Sequence, residues 1–150
     1  MLMLALCALP VLAAGKPEPQ PQAIDPGGPG KAASDAVVLF DGRDVSQWTR
    51  PDGTPTGCKV INGEMACRAG SGNAVSKAKF RSIQLHLEFD IPNMLEQESQ
   101  MKGNSGVYLH GRYEIRILDS YKNATYATGH CGALYGQAPP LVLASRPPEQ

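Results

Sequence analysis

The run Lys102-Gly-Asn-Ser-Gly-Val-Tyr-Leu-His-Gly-Arg-Tyr-Glu-Ile-Arg-Ile-Leu-Asp-Ser120 constrains the fold more than any other stretch, because it prescribes a β-hairpin together with its register. Side chains alternate from Ser105 to Leu109 and again from Tyr113 to Leu118, on either side of a turn region that carries Gly111. A loop of His110, Gly111 and Arg112 sets Leu109 against Tyr113, Val107 against Ile115 and Ser105 against Ile117, which leaves one face largely apolar. A two-residue loop would pair Val107 with Glu114 and bring a charge among core residues, so the longer loop is expected. In that register Tyr108, Glu114 and Arg116 project together from the opposite face. Two readings of that face stand: a grip on a polyhydroxylated ligand, or a solvated outer face with a Glu–Arg pair.

The chain of 150 residues has room for one domain. Lys plus Arg equals Asp plus Glu at 14 each, so the charge footprint that nucleic acid or an anionic membrane surface requires is missing. Sixteen Gly and thirteen Pro against three Phe and one Trp describe short elements joined by turns, and the expected class is all-β.

Residues 1–14 read as a signal peptide: an apolar run too short to span a bilayer, ending in small residues near Ala13 and Ala14. No Lys or Arg precedes the run, which leaves a cytoplasmic protein with an apolar start as the other reading. Export would make the product secreted or periplasmic, with no membrane partner beyond the signal. Residues 15–35 are rich in Pro and Gly with little to bury and are expected to be a disordered linker.

The folded part is expected over residues 36–150. Ala36 to Phe40 reads as a strand stopped by Asp41-Gly42, with Trp48 as a core plug beyond it. Asn62-Gly63 is a strong hairpin signal, and counting outward sets Cys58 opposite Cys67 in a non-hydrogen-bonded pair. That position suits a cross-strand disulfide, with two free thiols as the other reading. Ile83 to Ile91 alternates, with Ile83, Leu85, Leu87, Phe89 and Ile91 on one face and Gln84, His86, Glu88 and Asp90 on the other. A continuous sheet would bring His86 and Glu88 to the surface that carries Glu114 and Arg116. Pro92 closes this strand, and residues 93–101 form a charged, partly helical excursion. Asn123-Ala-Thr125 fits a glycosylation acceptor but reads equally as a surface loop.

Val38-Leu-Phe-Asp-Gly-Arg-Asp-Val-Ser-Gln-Trp48, the Asn62-Gly63 hairpin, Phe80-Arg-Ser-Ile-Gln-Leu-His-Leu-Glu-Phe89, Gly103-Asn-Ser-Gly-Val-Tyr-Leu109, Arg112-Tyr-Glu-Ile-Arg-Ile-Leu-Asp-Ser120 and Gly132-Ala-Leu-Tyr-Gly136 occur in this order. Together they resemble the 3-keto-disaccharide hydrolase domain, long known only as a domain of unknown function. The resemblance implies a concanavalin-like jelly-roll β-sandwich in exported bacterial proteins, acting on glycosides oxidised at C3. Arg116 stands where the family commonly carries Gln. The chain also stops at Gln150, where the family pattern continues into further strands, so the jelly roll is expected to be incomplete at its C-terminus.

A C3 carbonyl acidifies the proton on C2 and makes the C1 oxygen a β-leaving group, so elimination followed by hydration would cleave such a glycoside. That chemistry needs a base near C2 and a cation or donor at the developing enolate. The expected base is Glu114, with Glu88 or His86 as a second titratable group. Arg116, Tyr108, Asn104 and Asp119 would contact the sugar, with capping and turn stabilisation as the other reading of the last two. His86, Glu88 and Glu114 could supply mixed nitrogen and oxygen ligands to a divalent metal, although no spacing demands one. The expected partner is a 3-keto-glycoside; the competing readings are a non-catalytic carbohydrate-binding module and an inactive fragment.

Overall fold

The computed structural model describes residues 20–148 except 29, and its regular structure is short antiparallel strand with two 3-10 turns. Two units form, Met1–Ser82 and Ile83–Gln150. In the first, β1 (Trp48–Thr49) pairs with β4 (Val75–Ser76), and β2 (Lys59–Ile61) pairs with β3 (Glu64–Ala66). Asn62 and Gly63 turn the β2–β3 hairpin with φ of +52° and +84°, the left-handed pair that a tight hairpin turn requires. One step beyond the ladder Cys58 and Cys67 are disulfide-bonded, with their Cα atoms 4.4 Å apart. Cys58 is buried and Cys67 exposed, so the bridge ties the surface of this small unit to its interior.

Ala36 to Phe40 does not form the expected strand. Val37 and Val38 are exposed, and among the described residues no strand runs beside them, so an apolar run finds no ladder to join. The half-buried Trp48 instead reaches toward this segment and donates from Nε1 to the Leu39 carbonyl at 2.9 Å. Within the described part of residues 15–35, Asp25 closes a loop: its carboxylate accepts from Gly27 N at 2.9 Å and Lys31 Nζ at 3.0 Å, and its carbonyl accepts from Ser34 N. The signal-peptide reading of residues 1–14 lies outside the described residues.

In the second unit β5 (Asn104–Leu109) and β6 (Tyr113–Leu118) form the hairpin in the register that the sequence pattern demands: Leu109 opposite Tyr113, Val107 opposite Ile115, Ser105 opposite Ile117. The loop turns through His110 and Gly111, both left-handed, and Arg112 N donates to the Leu109 carbonyl at 3.1 Å. On the far side of β6, Gly132 to Tyr135 lies alongside. Arg116 N donates to Ala133 O, Gly132 N to Arg116 O and Tyr135 N to Glu114 O, so β6 is held on both edges.

The buried residues of this unit gather around the end of β6: Leu118, Ala133 and Gly129 with the polar Asp119, Ser120 and Asn123. Asn123 satisfies its whole amide there, accepting from Ser99 N at 2.9 Å and donating to Ser99 O at 2.9 Å and Asp119 O at 2.7 Å. The Asn-Ala-Thr triplet is therefore a loop clamp, not a surface acceptor for a glycan.

Ile83 to Ile91 is the main departure from expectation, because no residue in it joins a ladder or bridge. Its alternation prescribes which side chains share a face, but a strand also needs a neighbour for its backbone groups, and none of the described residues supplies one. Ile83, Leu85, Leu87 and Phe89 are consequently each about half exposed. Of the helical excursion over residues 93–101 only the 3-10 turn Ser99–Met101 forms. No helix among the described residues is long and apolar enough to cross a membrane.

Candidate functional site

Register places Tyr108 directly opposite Glu114, and Gly106 directly opposite Arg116, on the outer face of the β5–β6 hairpin. The phenol of Tyr108 donates to Glu114 Oε2 at 2.7 Å, and Arg116 Nη1 donates to Glu114 Oε1 at 3.0 Å. The Glu114 carboxylate is thus held from both sides, and each oxygen keeps a further lone pair for a ligand. Gly106 makes this arrangement fit: a Cβ at that position would fall 2.6 Å from Glu114 Cγ and 2.7 Å from Cδ. The glutamate side chain lies across bare backbone and, with the Arg116 side chain, is only 10% exposed.

Three residues that the sequence reading passed over complete the cluster. Arg116 Nη2 donates to Gln100 Oε1 at 2.6 Å, and the Arg116 guanidinium lies 4.7 Å from the centre of the Tyr135 ring. Gln100 is anchored in turn through Nε2 to Thr125 Oγ1 at 2.8 Å and to the Gly129 carbonyl. Tyr135 shares a 2.7 Å hydroxyl hydrogen bond with Tyr126, whose ring centre lies 6.3 Å away. The signal for Tyr135 was its place in Gly132-Ala-Leu-Tyr-Gly136, a segment that pairs with β6; Gln100 offered none, since it comes from a single 3-10 turn too short to show a period. The result is a charged pair rimmed by the partly exposed rings of Tyr108, Tyr126 and Tyr135.

Hydrogen bonding to Glu114, followed by partial burial and the glutamate charge, raises the Tyr108 phenol above its ordinary pKa. Tyr126 is raised likewise, first by its hydrogen bond to Tyr135. Both phenols therefore stay protonated further into the alkaline range than an ordinary tyrosine, Tyr108 as the donor to Glu114.

The other expected site residues are placed differently. Asn104 donates from Nδ2 to the Gln100 carbonyl, a tie behind the site. Asp119 is buried, accepts from Lys102 Nζ at 3.1 Å and from Tyr121 N at 3.2 Å, and so follows the turn-stabilising reading. His86 and Glu88 face each other at 3.5 Å on exposed chain, and among the described residues neither hydrogen-bonds nor ion-pairs with Glu114. The sheet that would have joined them to the hairpin is absent there. The donor set imagined for a divalent metal does not converge either: among the described residues no group of three His, Cys, Asp or Glu side chains could hold an ion. His86, Glu88 and Glu114 do not come together as one donor set.

Residues 35–150 match the family model described as the 3-keto-alpha-glucoside-1,2-lyase-like domain. The crystal structure of a candidate glycosyl hydrolase from Parabacteroides distasonis superposes with a TM-score of 0.76 at 36% identity, over 89% of this chain. This chain spans 58% of that protein's length. No curated protein matches.

Proposed function

The chain belongs to the 3-keto-alpha-glucoside-1,2-lyase-like domain family, and from that membership we propose that its hairpin face binds a carbohydrate and cleaves the glycosidic bond of a 3-keto-glycoside. The observation that carries the reading is the Glu114 carboxylate suspended between Tyr108 and Arg116. In the proposed reaction Glu114 takes the C2 proton, and the C2–H electron pair delocalises toward the C3 oxygen as an enolate. Arg116 offsets the negative charge that develops there. Return of that electron pair forms the C1–C2 double bond and expels the C1 oxygen, which leaves as an alcohol after taking a proton from Glu114 or water. Addition of water across C1–C2 then restores a free 3-keto sugar. Tyr108 orients the carboxylate, and the rings of Tyr135 and Tyr126 offer apolar faces to the sugar.

The same reading takes the small antiparallel sheets as part of a concanavalin-like jelly roll, supported by the structural likeness to the Parabacteroides protein. The Cys58–Cys67 disulfide supports an exported, oxidising location.

The test is incubation of the full chain and its Glu114→Gln variant with a 3-keto-glucoside in deuterated water, following alcohol release and deuterium at C2. Release with deuterium incorporation, reduced on the order of 10³-fold in the variant while sugar binding persists, is the expected result. Equal turnover by both proteins would overturn the role of Glu114. Binding by both without turnover would instead establish a carbohydrate-binding module, the reading that the three exposed tyrosine rings would then carry.

A further inference from the structure

The first unit holds a cationic cleft that the sugar chemistry does not use. Strand alternation puts Gly57, Lys59 and Ile61 on one face of the β2–β3 hairpin and Glu64, Ala66 and Arg68 opposite them on that same face. Beyond β3, Arg68 N donates to Ser71 Oγ at 3.0 Å and Ser71 N returns to the Arg68 carbonyl at 2.9 Å, closing a tight turn through the left-handed Gly70. The space between this turn and the hairpin is an open cleft of about 470 Å³, and Arg50, Lys59 and Arg68 all line it. Among the described residues no carboxylate lines it. Glu64 sits on the same hairpin face at its turn end, and Asp52, within electrostatic reach of Arg50, is occupied by Thr54 at 2.6 Å. Among the described residues none of the three cations forms an ion pair.

The cleft is also built to stay in place. A Cβ at Gly57 would fall 3.0 Å from Arg50 Nη2 and 2.9 Å from Ser71 Cα, so only glycine lets the guanidinium and the turn approach. The Cys58–Cys67 disulfide fastens the two chain segments next to Lys59 and Arg68. The whole chain has a formal net charge of zero, so three unpaired cations around one concavity are a local concentration of charge.

We propose that this cleft is an oxyanion-binding site, in which Arg50, Lys59 and Arg68 hold a sulfate, phosphate or carboxylate group of a ligand. Guanidinium forks supply paired donors for such oxygens, and Lys59 adds a mobile point charge. The inference stands apart from the reaction proposed at Glu114, which lies in the other unit.

Titration of the oxidised full chain with sodium sulfate, inorganic phosphate and sodium acetate, at constant ionic strength in chloride, tests it by amide chemical shifts. Saturable shifts at Gly57, Gly70 and Ser71, weakened at least tenfold in the Arg50→Gln/Arg68→Gln variant, are expected. The arm that saturates distinguishes a tetrahedral from a planar anion. Absence of saturable shifts in every arm, or undiminished shifts in the variant, would overturn the proposal. A dispersed spectrum and intact disulfide in the variant show that the loss is not one of folding, and the single Lys59→Gln variant, expected to weaken binding severalfold, gives a second reading.

Discussion

The side chain of Glu114 rests on the backbone of Gly106, close enough that a methyl group on that glycine would overlap its Cγ, Cδ and Oε1 atoms. Gly106 is paired with Arg116 in the ladder, so the one residue without a side chain lies beneath the junction of the ion pair. A polar face on a hairpin ordinarily needs no glycine in mid-strand, where it weakens the strand. Its presence marks a close approach that the carboxylate requires.

Gly106→Ala is therefore expected to push Glu114 off its seat while leaving the ladder register intact. A displacement of about 1 Å at a reacting group costs roughly 10²-fold in rate. Under the proposed chemistry kcat/KM should fall by about that factor with a smaller change in sugar binding. Kinetics with a 3-keto-glucoside, alongside near-UV circular dichroism to verify packing, would check it; unchanged kcat/KM would contradict the seating argument.

Tyr108 should titrate above an ordinary tyrosine, because the Glu114 carboxylate holds its proton. A group whose folded pKa is raised adds stability that is complete below its unfolded value, near 10, and is lost as pH rises through the folded value. Stability should thus fall at strongly alkaline pH, by an amount kept small by the solvent exposure of Tyr108. Absorbance titration at the phenolate band, as wild type minus Tyr108→Phe, should show the raised transition. In the Glu114→Gln background the transition should move back toward 10, the ordinary value.

Legibility in the sequence followed the physics of each element. The β5–β6 register could be read because a period of two, joined to one defined loop, leaves a single pairing that keeps Glu114 out of the apolar face. Cys58 and Cys67 could be matched by counting outward from Asn62-Gly63, since hairpin pairing is local. Ile83 to Ile91 could not be settled, because alternation reports facing and is silent about whether a neighbour runs alongside. Gln100 and Tyr135 reach Arg116 from segments 16 and 19 residues away in sequence, and loop closure of that kind leaves no periodic trace. Asp119 was open to two readings for a related reason: a carboxylate at a strand end looks alike whether it meets a sugar or holds a turn beside a half-buried Lys102.

The disulfide closes a loop between cysteines nine positions apart, for which chain entropy in the unfolded state gives about 2.5 kcal/mol of stabilisation. Reduction, or replacement of both cysteines by Ala, should lower the urea midpoint of the first unit accordingly. Among the described residues the second unit holds no disulfide and Cys131 is free, so its unfolding should be insensitive to reductant. Backbone hydrogen exchange with and without dithiothreitol would separate the two units; equal loss of protection in both would count against this assignment.

Lys102 and Asp119 form an ion pair whose side chains are 19% and 2% exposed, at the start of β5 and the end of β6. Removing Asp119 leaves the half-buried Lys102 charge only partly hydrated and without its counter-ion. Asp119→Ala should therefore destabilise the second unit by about 3 kcal/mol. The loss includes the acceptor for Tyr121 N, so the turn after β6 should loosen as well. Lys102→Met combined with Asp119→Leu removes both charges together and should cost less than Asp119→Ala alone, since no charge is left stranded. Urea denaturation of the two proteins decides the matter: a double variant no more stable than the single one would mean that the stranded Lys102 charge costs little, and that the Tyr121 N hydrogen bond lost in both accounts for the destabilisation.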